Sequence, residues 1–420
     1  MKTIKLILTI SVLLGILFFT APQSGAAQEK SVQSDTSESF LRQFQRLDQD
    51  VKILKRLREL DQETAAQKKQ EPAPFGQVKI SGILFGDYFY NAWRDTAIAN
   101  GVTVKNIATG GVRDFSGFQF RRIYLTFDDD VTENISLRFR FEDDQIAAVS
   151  GGTNNLFVKD ANLKWKNIFL GSDLTFGEQP TPLEISEAAW GYRSLEKVQL
   201  DLRGIVTTRD LGISLRGRID RGGNYNYWVI AGNNSNTGVE SDKYKRYYAS
   251  FQAKPFTNFQ IWVYGDYAPQ APAVNIGNKD KTTFAGLASY GLKDTYSIGL
   301  EGFSQSAAHS FQPKTGTITG EFESLLVQGL SFFGWYNFFP GFAVIARYDI
   351  YDPNTSSASN AKGDSRNLFI AGISWKADKS LSIQPNIEYE TYEDKPAIGS
   401  SPKVSYDPSI TGRLTLVLQF

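Results

Sequence analysis

The chain has 420 residues, with 45 basic and 45 acidic side chains, 36 glycines, 13% aromatics and no cysteine. Balanced charge gives no net field to attract nucleic acid or an acidic partner. Absence of cysteine excludes disulfides, thiol nucleophiles, Cys-ligated metals and a lipoprotein anchor together. Beyond the N-terminus no apolar run reaches the length of a membrane helix. A membrane β-barrel is still compatible, because every second residue of its strands faces a polar lumen.

Residues 1–27 read as a secretory signal: Lys2 and Lys5, an apolar core from Leu6 to Phe19, then small residues with cleavage expected after Ala26 or Ala27. Residues 28–74 form a separate segment. Within it Phe40, Phe44, Leu47, Val51 and Leu54 follow four-three spacing, an a/d seam that ends where Arg58 and Asp61 take the next positions. A helix this short is marginal alone. It either plugs or lines the lumen or self-associates as a trimeric coiled coil in the periplasm, and self-association is the expectation. Glu71-Pro72-Ala73-Pro74 then acts as a stiff linker.

From Phe75 to Phe420 the apolar period becomes two. The predicted strands are Gly76–Tyr90, Gly117–Phe127, Ile135–Asp143, Phe157–Lys166, Asp173–Gly177, Arg209–Ile219, Tyr225–Asn233 and Tyr244–Ala253. They continue with Asn258–Tyr267, Thr282–Tyr290, Thr295–Phe303, Leu325–Asn337, Phe342–Tyr351, Ser365–Lys376, Ser380–Tyr392 and Ile410–Phe420. Connections alternate in length: short ones such as Asp128–Asn134 and Phe338–Gly341 against long ones such as Asn91–Ser116 and Glu178–Thr208. Short inner turns and long outer loops are the parity of an outer-membrane barrel, and a soluble β-sandwich has no reason for it. The fold class expected is all-β: a 16-stranded antiparallel transmembrane barrel preceded by a short coiled-coil helix. Apolar faces such as Leu137, Phe139, Phe141 and Leu211, Ile213, Leu215 point to lipid, with Trp165, Trp335, Tyr348 and Trp375 as interfacial aromatics. Leu414, Leu416, Leu418 and Phe420 lie on one face of the last strand. They form the signal expected to engage the barrel assembly machinery.

At Lys159-Asp160-Ala161, Phe176-Gly177-Glu178-Gln179-Pro180-Thr181-Pro182, Arg193-Ser194-Leu195 and Arg209-Asp210-Leu211-Gly212-Ile213-Ser214-Leu215 the chain resembles the phosphate-selective porin O and P family. The resemblance implies a trimeric, anion-admitting pore in an outer membrane with its lipids and lipopolysaccharide. No dense ladder of Arg and Lys is present. The expectation is therefore a passive water-filled channel for small polar or anionic solutes, mildly anion-preferring and extending to phosphate, without cofactor or metal.

If the apolar faces point outward, the intervening residues line the lumen. Early strands contribute Arg122, Arg138, Arg140, Lys164, Lys166, Arg216 and Arg218; later ones contribute Asp266, Glu301, Asp349, Glu388 and Glu390. Strand order places these sets opposite each other, so they either impose a transverse field or merely solvate the lumen. The long third loop carries Arg193, Lys197 and Arg203 and is a candidate constriction, with Arg138 and Arg140 on the facing wall. Two rivals remain. A closed structural barrel could be tethered to the cell wall through the helix. A hydrolase would depend on the single histidine, His309, beside Ser310. Asp128-Asp129-Asp130 either solvates a turn or binds a cation.

Overall fold

The computed structural model describes residues 45–46, 48–60, 78–93, 96–99, 102–105, 113–143, 156–169, 171–315, 318–397 and 402–420. The signal, the seam positions Phe40, Phe44 and Leu47, and the proline linker lie outside them. The chain divides into two compact units, Met1–Pro74 and Phe75–Phe420. In the first, residues 48–60 are helical. Lys52 pairs with Asp48 at 2.7 Å, one turn away, and the seam residues Val51 and Leu54 are exposed.

The second unit is a closed antiparallel barrel in which each strand pairs with its chain neighbours. Its strands are β1 (Lys79–Trp93), β2 (Phe115–Asp130), β3 (Ile135–Asp143), β4 (Leu156–Phe169), β5 (Ser172–Pro180), β6 (Arg209–Arg218), β7 (Tyr225–Gly232) and β8 (Arg246–Ala253). They continue as β9 (Phe259–Ala268), β10 (Lys281–Leu292), β11 (Tyr296–Phe311), β12 (Glu323–Phe339), β13 (Phe342–Asp352), β14 (Arg366–Lys376), β15 (Leu381–Tyr392) and β16 (Ser409–Gln419). All sixteen predicted strands are present. The ends move by a few residues, most in β11, which runs past the predicted Phe303 to Phe311 and takes in His309.

Closure satisfies the strand edges that lipid cannot solvate. Leu84 faces Leu418 across the β1–β16 seam, and Phe420 and Gly82 exchange backbone hydrogen bonds of 3.0 and 3.1 Å. The Phe420 ring fills the space above Gly82, where a Cβ would lie 2.3 Å from it. Any larger residue there would have to displace the ring.

The outer surface is apolar as alternation requires, with Phe139, Leu163, Ile213, Val263, Phe332 and Val344 exposed. At the short-turn end Phe342 stacks on Trp375 at 5.9 Å, and Trp165 and Trp375 are exposed where an interfacial belt belongs. A closed barrel with this surface is an outer-membrane protein, long loops outward. Trp335 departs from the predicted belt: it shares the inward face of β12 with Ser331 and Phe333 and packs edge-on against Tyr192 at 6.1 Å.

Deleting Phe420, or replacing Gly82 with Val, should reduce the folded, membrane-inserted fraction severalfold. The heat-resistant band on unboiled gels measures it, and wild-type levels in both variants would remove the seam's claimed role.

Candidate functional site

The third outer loop, residues 181–208, folds into the lumen. Its ends are drawn together where Thr181 bonds the carbonyls of Thr208 at 3.0 Å and Thr207 at 2.7 Å. Between them run helix α1 (Glu184–Trp190), stopped by Gly191 in the left-handed region at φ 74°, and the single turn α2 (Gln199–Leu202).

The lumen is polar on only part of its circumference. Loop residues Leu183, Trp190, Leu195, Leu200 and Val206 pack into one buried core with inward side chains of β7–β14, among them Trp228, Trp262, Leu287, Phe333, Ile345 and Ile370. A uniformly polar lumen was the expectation; here apolar residues occupy the inward face as well, and the loop keeps water off them. Burial of this kind stabilises by about 25 cal/mol per Å² of apolar surface.

Buried arginines then grip the loop's carbonyls. Arg121, ion-paired with Asp87, donates to the carbonyls of Ser194 and Leu195, the latter at 2.7 Å. Arg413 reaches the Leu195 carbonyl at 3.1 Å, Arg347 the Lys197 carbonyl, and Arg246 the Ile205 carbonyl at 3.2 Å. Gln199 reaches back to the Ile350 carbonyl at 2.7 Å.

These contacts overturn the acidic wall. Asp349 is fully buried and paired with Arg347 at 2.5 Å; Glu388 accepts from Arg413 at 2.7 Å; Glu390 accepts from the loop's Arg203 at 2.7 Å. Asp266 pairs with Arg246 at 2.8 Å, and Glu301 accepts from Ser186. Asp349, Glu388, Glu390 and Asp266 each have a basic partner, and Glu301 has the Ser186 hydroxyl. Arg203, 5.1 Å above the Tyr351 ring, belongs to this buried seam and not to the constriction.

Open space borders β1–β6, and the larger cavity there also reaches Ala343, Ser374, Gln384 and Val417 of β13–β16. A cavity of about 450 Å³ lined by Arg122, Glu142, Lys197 and Asp201, and one of about 710 Å³ lined by Tyr124, Arg140 and Tyr192, share Lys159, Arg193 and Arg209 as walls. There the loop's Arg193 shares both cavities with Lys159 and Arg209 of the wall. On the wall Glu142 sits between Arg122 at 2.9 Å and Lys159, and Asp160 between Arg140 at 3.3 Å and Arg209. Each triad holds two cations and one carboxylate. On the loop Arg193 pairs with Glu187 and, at 3.0 Å, with Asp201, which lies 3.8 Å from Lys197.

The remaining predicted residues sit nearer the short-turn rim. Arg138 is bidentate to Asp128 at 2.7 and 3.0 Å, and Lys166 pairs with Asp130. The aspartate run thus has basic partners, and among the described residues no acidic or histidine cluster suits a metal. Lys164 and Arg216 line a further cavity, Arg216 lying 4.3 Å from the Trp228 ring, and Arg218 lies over Gly171. His309 faces the Asn278 carbonyl at 3.0 Å while Ser310 bonds the Ala308 carbonyl, so the two do not form a nucleophile–base pair.

Two key residues escape a strict alternation count. A β-bulge in β2 inserts Arg121 beside Arg122, and another in β4 inserts Lys159 beside Asp160, so that each pair is buried together. Bulges re-aim side chains in this way.

Barrel closure, strand number and the inward loop define the fold of the outer-membrane porins. The sequence matches no family model and no curated protein. Solved structures share the fold. The anion-selective porin of Comamonas acidovorans matches with TM-score 0.55 and 12% identity over 82% of this chain and 100% of that one. The outer membrane channel DcaP of Acinetobacter baumannii gives 0.56 and 14% over 82% and 97%, and OmpT of Vibrio cholerae gives 0.52 and 14% over 82% and 98%.

Arg121→Met should cost on the order of 3 kcal/mol in chemical unfolding, because it strands Asp87 in a buried site; adding Asp87→Leu should recover much of that loss. A second expectation concerns acid. Burial pushes Glu196 upward, but Arg413, Arg121 and Arg347 outweigh it and hold the carboxyl down at about 2. With its folded value depressed, its contribution is complete above the ordinary carboxylate range and is lost as pH falls toward 2. Glu196→Gln should therefore abolish any loop-related transition in single-channel conductance that appears only below the ordinary carboxylate range.

Proposed function

We propose that the protein is a passive outer-membrane channel for small hydrophilic solutes with a mild preference for anions. The observation that carries this reading is the pair of cation–carboxylate–cation triads, Arg122–Glu142–Lys159 and Arg140–Asp160–Arg209, on the wall facing Arg193. Local charge at the narrowest point sets selectivity. The second triad sets Arg140 and Arg209 against the single carboxylate of Asp160, with Lys159 and Arg193 on the same cavity, so anions are favoured. The interposed carboxylates keep the preference mild, and screening over roughly 8 Å at physiological salt weakens it further. The resemblance to the phosphate-selective family extends the solute range to phosphate, without strong selectivity for it. Cavities on both sides of the Lys159–Arg193–Arg209 level favour conduction over a closed structural barrel.

In planar bilayers with a potassium chloride gradient, the reversal potential should favour chloride. Lys159→Gln and Arg209→Gln should each lower the chloride-to-potassium ratio by about two- to fivefold, the size of a single charge acting over a few ångströms in water. A cation-favouring potential unaffected by either change would dismiss the assignment, and absence of conductance would favour the structural barrel.

The exposed apolar residues on helix 48–60 fit self-association, and we assign the helix to a homotrimer. Cross-linking a chain that begins near Pro72 should give less trimer than full-length protein; equal yields would free the helix for another task.

A further inference from the structure

Among the described residues, one apolar patch inside the barrel is not covered by the loop's core. Phe85, Tyr124 and Val417 form their own cluster with Ile83 on the inward faces of β1, β2 and β16. The four residues line the same cavity of about 710 Å³ as Arg140, Lys159, Arg193 and Arg209. Phe85 meets Tyr124 edge to face at 6.2 Å, and Lys159 Nζ stands 5.0 Å from the Tyr124 ring centre.

Phe85, Tyr124 and Val417 are nearly buried, and the edges they present line this cavity. Set beside Arg140, Lys159 and Arg209, those edges suit a solute with an apolar body and an anionic head. Inorganic phosphate and chloride have no use for them. Toward the short-turn end Arg216, paired with Glu184 at 3.3 Å, lies 4.3 Å from the ring of the core residue Trp228. There Lys164 lines the adjoining cavity, and the buried indole N–H of Trp228 has no acceptor.

We propose that the channel prefers aromatic carboxylates, whose ring lies along Phe85 and Val417 while the carboxylate meets Lys159 and Arg140. This rests on the anion-channel reading and narrows it to a solute class. No bond forms or breaks; the solute is held briefly and passes on.

The test compares sodium benzoate with sodium acetate as blockers of chloride current through full-length protein in planar bilayers. Benzoate should halve the current at about tenfold lower concentration than acetate, the return expected from covering part of one ring face. Phe85→Thr should bring the two concentrations together, and Val417→Thr serves the same purpose if the first variant does not insert. Equal potency of benzoate and acetate in the wild type, with a chloride-favouring reversal potential, overturns this inference and leaves the anion channel standing. So does a benzoate advantage unmoved in both variants. A cation-favouring reversal potential overturns the channel reading beneath it.

Discussion

A loop cannot lie across the middle of a barrel unless its backbone polar groups find partners there. In this protein the partners are guanidinium groups of the barrel wall. Arg121, Arg413 and Arg347 converge on the carbonyls of residues 194–197, and Arg246 takes that of Ile205. A guanidinium offers five donors in a rigid fork, so one side chain can serve a carboxylate on its own wall and a carbonyl on the loop together. Arg121 does so with Asp87, Arg413 with Glu388, Arg347 with Asp349, and Arg246 with Asp266. Acidic residues of β1, β9, β13 and β15 hold the arginines that hold the loop.

Once pinned, the loop divides the lumen into unlike parts. Over β7–β14 it supplies Leu183, Trp190, Leu195 and Leu200 to a closed apolar core, which resembles the interior of a soluble domain. Over β1–β6 it presents Arg193, Lys197 and Asp201 to a wall of ion triads. The open space is eccentric.

The ion pairs differ in what they contribute. Rim pairs such as Arg138 with Asp128 are partly exposed and add little to stability. The Arg347–Asp349 pair is fully buried, and its removal by halves leaves an uncompensated charge. Between these lie the triads at the cavity, where two cations share each carboxylate.

Alternating side chains, the parity of short and long connections and the terminal apolar face were sufficient to read the barrel, its sixteen strands and its closure. Those features arise from local geometry: side chains alternate along each strand, and lipid admits no open edge. Arg122 and Arg140 were legible as cavity-lining candidates by the same count, and Arg193 and Lys197 from the length of the loop that carries them. The rest depended on contacts between residues far apart in the chain. Bulges at Arg121 and Lys159 shift the alternation by one, and nothing in the local pattern announces them. The inward apolar residues of β7–β14 read as breaks in a polar lumen until a loop is laid over them. Asp349, Glu388 and Glu390 read as an open wall until Arg347, Arg413 and Arg203 arrive from elsewhere. Sequence alone determined which residues face inward along most of each strand, because that is a property of one strand. Tertiary structure decided which inward residues meet water, because that depends on where the loop lies.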